Sequence, residues 1–143
     1  MITLSIVGVA LAVTGLHTRT TASSAVTYFP AARVKASFDK NATLVNAGSY
    51  QVLTSRRDAP GRAEVHAKYT DVMYVLDGTA TFVTGGTVVG GKTTAADEIR
   101  GPSVRGGETR TLSKGDVIIV PKGTPHWFKE VSTPFLYYVV KVE

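Results

Sequence analysis

An all-β fold is predicted for this 143-residue chain, an antiparallel sandwich or barrel preceded by one short helical segment. Three observations carry the prediction. From Tyr50 onward, apolar residues recur at every second position in runs rich in Val, Ile, Thr, Tyr and Phe, as in strands with one buried face. Turn signals such as Asp77-Gly78, Gly85-Gly86 and Lys114-Gly115 break these runs at short intervals. Finally, 43% hydrophobic residues suffice for one core in a chain the size of one domain, and fourteen glycines and six prolines supply its turns.

Taken in order, Ile2 to Leu16 is an apolar run broken only by Thr3, Ser5, Gly8, Thr14 and Gly15. It is too short to span a bilayer comfortably but suits the core of a secretory signal peptide, with small residues at Ala22-Ser23-Ser24-Ala25 for cleavage. Residues 1–25 are therefore expected to be a signal peptide, although no Lys or Arg precedes the run. The protein is then secreted or periplasmic, and cytoplasmic if the segment is not a signal; no membrane span is expected. Residues 26–48 read as an N-terminal extension. Within it Ala31 to Phe38 suits a short helix behind Pro30, with Val34 and Phe38 on one side. Asn41-Ala42-Thr43 fits a glycosylation sequon, a motif common by chance.

The candidate strands are Tyr50–Arg56, Ala63–Lys68, Val72–Leu76, Thr79–Thr84, Glu108–Leu112, Asp116–Val120, His126–Val131 and Phe135–Val142. About eight short strands at such spacing point to an antiparallel sandwich or barrel over residues 49–143. Thr87 to Gly107 interrupts them with glycines at 90, 91, 101, 106 and 107. A structureless run of that length is uncommon, so an ordered loop or an extra hairpin is expected there.

Composition narrows the chemistry. The net charge of +5 is dispersed, and Arg56-Arg57 is the only adjacent basic pair, so no concentrated patch points to nucleic acid. The absence of cysteine removes disulfides, thiolate metal sites and cysteine nucleophiles. A transition metal must then be held by carboxylates and by the three histidines, of which His17 lies in the N-terminal apolar segment. No G-x-S-x-G elbow or P-loop occurs.

The sharpest pattern is Gly115, five residues, Pro121, one residue, Gly123, two residues, His126, three residues, Glu130. Val117-Ile118-Ile119-Val120 makes an apolar strand, Pro121 to Pro125 a tight turn, and His126 opens the next strand. This resembles the second motif of the cupin superfamily at every position except the last, where Glu130 stands in place of asparagine. The first cupin motif runs His, one residue, His, four residues, Glu, six residues, Gly. Anchored on Gly78, it aligns Asp71 with the glutamate, His66 with the second histidine and Glu64 with the first. Glu64 and His66 are two apart and so share a strand face.

The resemblance implies a single-domain cupin, a jelly-roll-like antiparallel β-barrel, that holds one divalent metal ion. His66 and His126 are its surest ligands and Asp71 the third; Glu64 is a fourth ligand, a general base, or an outward-facing carboxylate. Two imidazoles with carboxylates favour Fe or Mn, with Zn or Ni also accommodated. The implied activity is metal-dependent catalysis on a small organic substrate, of dioxygenase, isomerase or lyase type, with Glu64 or Glu130 as candidate base. The competing reading is a non-catalytic small-molecule-binding module. A homodimer is expected from the resemblance alone. Phe128 shares the face of His126, and Met73 and Val75 that of Asp71, so these could line a substrate pocket. Lys68 could point inward on the face of His66, and Arg100, Arg105 and Arg110 could reach an anionic substrate, solvent exposure being the commoner fate of each.

Overall fold

The computed structural model describes residues 25–143, so the signal-peptide reading falls, but for Ala25, outside the described residues. Behind the extended Pro30, helix α1 (Ala31–Ser37) forms, and a 3-10 turn over Phe38–Lys40 continues it until Asn41 adopts φ 48. Asparagine tolerates this left-handed conformation better than most residues. Phe38 is buried, edge-on to Tyr138 with ring centroids 5.5 Å apart. The helical segment is thus pinned to the outside of a sheet.

Thirteen strands follow among the described residues: β1 (Thr43–Asn46), β2 (Tyr50–Arg57), β3 (Ala63–His66), β4 (Thr70–Asp77), β5 (Thr79–Thr84), β6 (Thr87–Val89), β7 (Lys92–Ala95), β8 (Glu98–Gly101), β9 (Ser103–Arg105), β10 (Glu108–Ser113), β11 (Val117–Val120), β12 (His126–Val131) and β13 (Phe135–Val142). They build two antiparallel sheets, β1-β2-β13-β4-β11 and β10-β5-β12-β3-β8-β7, with β6-β9 as a separate ribbon. All eight predicted strands are present with small shifts at their ends. The two sheets enclose one core in the jelly-roll manner, and their hydrogen bonding does not run on from one sheet into the other.

The insert is ordered as two nested hairpins, β6 with β9 outside and β7 with β8 inside. Strand β8 also pairs with β3, so the insert widens the second sheet instead of looping away from it. The segment read as an extension contributes β1, which pairs with β2 at the edge of the first sheet.

Side-chain alternation divides the interior into two ends. Along β13, Phe135, Tyr137 and Val139 are buried on the inner face, and Lys141 continues the same parity. Along β4, Val75 and Met73 face inward and Asp71 extends that row. One end is therefore apolar, where Phe128 packs on Phe82, Phe135 and Tyr137 at centroid distances of 4.4, 5.6 and 5.1 Å. The other end is polar and carries the site. Gly78, which closes the first motif, turns β4 into β5 with φ +81, and a Cβ there would lie 2.6 Å from the Pro134 carbonyl oxygen. Only glycine fits both the conformation and the space.

Phe82 is fully buried at the centre of this core. Phe82→Ala is expected to cost about 3–5 kcal/mol of stability, read as a lower urea midpoint in equilibrium unfolding. A change under about 1 kcal/mol would show that the two sheets do not depend on this packing.

Candidate metal centre

Strand β3 is the axis of the site. It lies between β12 and β8, with His126 opposite Glu64 on one side, and Arg100 opposite Glu64 and Glu98 opposite His66 on the other. Alternation sends Glu64 and His66 to the same face. The turn Pro121 to Pro125 delivers His126 beside them, and its Gly123 amide donates to the His66 carbonyl at 2.8 Å, tying the two motifs together. The imidazole rings of His66 and His126 lie 5.0 Å apart, and Phe82 lies 6.0 Å from His126. One donor atom each of Glu64, His66 and His126 falls within 4.8 Å of the others.

Both imidazoles are oriented by their outer nitrogens. His66 Nδ1–H donates to Glu98 Oε1 at 2.5 Å, and His126 Nδ1–H donates to the Thr124 carbonyl at 3.1 Å. In each neutral ring this leaves the Nε2 lone pair free. A carboxylate or carbonyl behind a histidine is the usual partner that fixes a ligating tautomer. His66 Nε2 faces Asp71 Oδ2 at 3.3 Å and Glu64 Oε2 at 3.5 Å.

The surrounding charges are matched. Both oxygens of buried Asp71 accept from Lys141 Nζ, at 2.8 and 3.1 Å. Glu64 Oε1 accepts from Arg100 Nη1 at 2.6 Å, so its Oε2 is the oxygen turned to the histidines. Three carboxylates (Glu64, Asp71, Glu98) thus sit with three cations (Arg57, Arg100, Lys141) around one cavity of about 380 Å³, which Arg56, paired with Asp58, also borders. Burial pushes the His66 pKa down, but the hydrogen bond and charge of Asp71, helped by Glu98 and opposed by Lys141, raise it overall. Asp71 shows the converse: burial would raise its carboxyl, yet His66 and Lys141 hold it below the usual range. Burial dominates at His126 and lowers its pKa. Without metal, therefore, the surroundings favour the protonated form of His66 and the neutral form of His126.

This donor set suits a metal. Two neutral imidazoles and one carboxylate with open positions match the chemistry of non-haem Fe(II) or Mn(II), and the partners behind both rings are in place. Of the residues expected at the site, His66, His126 and Glu64 form the cluster. Asp71 lines the same cavity but is engaged by Lys141, and the three donors that lie within 4.8 Å of one another take Glu64 as their carboxylate. Glu130 is a correction. A one-residue bulge between Phe128 and Glu130 reverses the alternation of β12, so Glu130 pairs with Thr81, accepts from its hydroxyl at 3.0 Å, and stands exposed outside the cavity. Met73 and Phe128 line the cavity as expected, whereas Val75 is buried deeper in the core.

Arg100 reaches the site. Arg110 instead engages Glu108 and Thr84, Arg105 is exposed on β9, and Lys68 pairs with Glu143 at the surface. Sequence reasoning did not single out Glu98, Arg57 or Lys141. Glu98-Ile99-Arg100 repeats the period-two spacing of Glu64-Val65-His66, and Lys141 continues the parity of Phe135, Tyr137 and Val139, but neither pattern shows which strand the residue pairs with.

The profile of the Cupin family matches residues 31–143, and the chain belongs to the cupins. No protein of curated function matches it. Among solved structures it is similar to a provisionally assigned mannose-6-phosphate isomerase from Ralstonia eutropha JMP134 (TM-score 0.51, 14% identity, covering 71% of this chain and 81% of that one). It is also similar to hydroquinone 1,2-dioxygenase from Sphingomonas sp. TTNP3 with 4-hydroxybenzoate bound (0.51, 15%, 68% and 62%). A third is the DMSP lyase DddQ from Ruegeria pomeroyi DSS-3 (0.50, 19%, 71% and 45%). At these identities the likeness establishes the fold.

Glu98→Gln removes the charge behind His66 while keeping its shape. It is expected to weaken Mn(II) binding about ten- to a hundredfold, measured by calorimetric titration of the purified protein. Unchanged affinity would mean that Glu98 does not orient a ligating ring.

Proposed function

We propose that this protein is a metal-dependent cupin enzyme acting on a small organic molecule, with Glu64, His66 and His126 holding one divalent ion. The observation that carries the reading is the convergence of the three donors, with both Nε2 atoms freed by Glu98 and Thr124. When bound there, the ion supplies Lewis acidity toward a substrate oxygen. Fe(II) or Mn(II) is favoured over Zn or Ni because the set is oxygen- and imidazole-based.

The chain's own residues prepare the cavity for that chemistry. Met73 and Phe128 give the cavity an apolar floor, with Phe82 packed beside His126, and this limits water around the donors. Lys141 neutralises Asp71, which faces His66 Nε2 at 3.3 Å and favours a proton there when no metal is bound. Metal and proton compete for that atom. Of the two candidate bases, Glu64 lies beside the imidazoles, and Glu130 stands exposed against Thr81. No residue chooses between dioxygenase, isomerase and lyase chemistry, and the same fold carries proteins named for each.

A second reading, a non-catalytic binding module, rests on one observation: Arg100 already pairs with Glu64 and Lys141 with Asp71, so both carboxylates have cationic partners without metal. The two readings separate experimentally. Tag-free protein purified without added metal is expected to carry close to one Fe or Mn per chain by elemental analysis. His126→Ala should lose that metal and all turnover while keeping the wild-type circular dichroism spectrum. Protein that carries no metal and takes none up on titration, yet binds small molecules, would leave only the binding module.

A further inference from the structure

Arg57 ends β2 opposite Phe135, which places it on the inner face of the first sheet. Its guanidinium is fixed twice. The carbon Cζ lies 4.4 Å from the Phe128 ring centroid, and Nε donates to the Tyr137 hydroxyl at 2.9 Å. Its terminal nitrogens are not fixed. The nearest carboxylate oxygen, Glu64 Oε1, lies 3.8 Å from Nη2, beyond hydrogen-bond reach, because Arg100 has drawn that oxygen to 2.6 Å. Neither Nη1 nor Nη2 hydrogen-bonds to any described residue, although the side chain is only 22% exposed and lines the cavity. Gly61 keeps space beside them, since a Cβ there would fall 2.6 Å from Nη1.

A half-buried guanidinium held by stacking on one side and by Nε on another presents a rigid fork of N–H donors. Such a fork matches a planar, bidentate anion. We propose that Arg57 is the carboxylate-recognition residue of this cavity and that its ligands are small organic acids, held by their carboxylate on the Nη1/Nη2 edge. The proposal rests on reading the cavity as the substrate site, and it adds the substrate class. Three carboxylates already line the space, so a planar carboxylate of low charge is favoured over a phosphate dianion. Glu64 is common to the metal donors and to the surroundings of Arg57, so an acid anchored on Arg57 occupies the same cavity as the metal. Apo charge balance points the same way. Three carboxylates face four cations (Arg56, Arg57, Arg100 and Lys141), so the cavity carries no net negative charge, and a divalent ion would add two positive charges for an anion to answer.

The chain carries its own reporter. Trp127 is its only tryptophan, and the indole Nε1–H donates at 2.8 Å to the carbonyl of Gly61, the residue beside Nη1. The test is titration of the full, metal-replete protein with lactate and glycolate, with lactamide and glycolamide as neutral counterparts and inorganic phosphate as the rival anion, read by Trp127 fluorescence. Saturable binding of an acid is expected, with its amide at least about tenfold weaker. Arg57→Gln should weaken the acid on the order of ten- to a hundredfold. Arg57→Lys keeps charge but not the fork, and should lie between. Metal content and urea midpoint are measured on every variant, so a folding defect is separated from lost recognition. Equal binding of acid and amide, phosphate binding tighter than either acid, wild-type acid affinity in well-folded Arg57→Lys, or no saturable binding of either acid would each overturn the proposal. Arg57-dependent acid binding by protein without metal would uphold it while removing the metal reading. Stoichiometric metal with no preference for acids would do the reverse.

Discussion

Strand β3, paired along its four residues with β8 and through Glu64 with β12, sets the geometry on which the site depends. The ladder to β12 puts His126 across from Glu64, and the ladder to β8 puts Arg100 across from Glu64 and Glu98 across from His66. Directly opposed residues in antiparallel strands are close neighbours, so the donors, their orienting carboxylate and their neutralising arginine all follow from one register. A slip of one residue would turn Glu64 and His66 to the other face and take the donor set apart. Burial of His66 and His126 makes such a slip costly, and the bond from Gly123 to the His66 carbonyl holds the turn to the same register.

The second constraint is charge. Isolated buried charges are expensive, and a cavity lined by Glu64, Asp71 and Glu98 is tolerable only because each carboxylate has a partner. Asp71 has Lys141 and His66, Glu64 has Arg100, and Glu98 has His66, with Arg100 Nη2 3.6 Å from its other oxygen. That other oxygen, Oε2, is buried without a hydrogen-bond partner. Arg57 is held differently, by aromatic rings and a hydroxyl, which is why its terminal donors stay free. The apolar end of the sandwich supplies the rigidity. Phe128 packs in the core, supports Arg57 and follows His126 by two positions on the same strand.

Much of this was legible in the sequence because period-two patterning and fixed motif spacing are local signals. The eight strands of the sandwich, the turn before His126, the shared face of Glu64 and His66, and the helix behind Pro30 all follow from neighbours in the chain. The misreadings lie where a local pattern meets a non-local event. The bulge after Phe128 turned Glu130 outward, though simple alternation puts it on the face of His126. Strand β1 has four residues and little alternation, so only its pairing with β2 defines it. Glu98 sits in an insert whose attachment to β3 no local pattern announces, and Lys141 becomes a site residue only through its pairing with Asp71. The exchange of prominence between Asp71 and Glu64 has the same origin: motif spacing brings both to the cavity, and the ion pair with Lys141 engages Asp71.

The account turns on which carboxylate completes the pair of histidines, and one comparison tests it most directly. Mn(II) titration of Glu64→Gln beside Asp71→Asn, followed by calorimetry on protein of verified fold, separates the two roles. The geometry predicts that Glu64→Gln loses most of its metal affinity while Asp71→Asn retains a one-to-one site. Full binding by Glu64→Gln, with loss in Asp71→Asn, would contradict the assignment of Glu64, His66 and His126 as the metal-holding set.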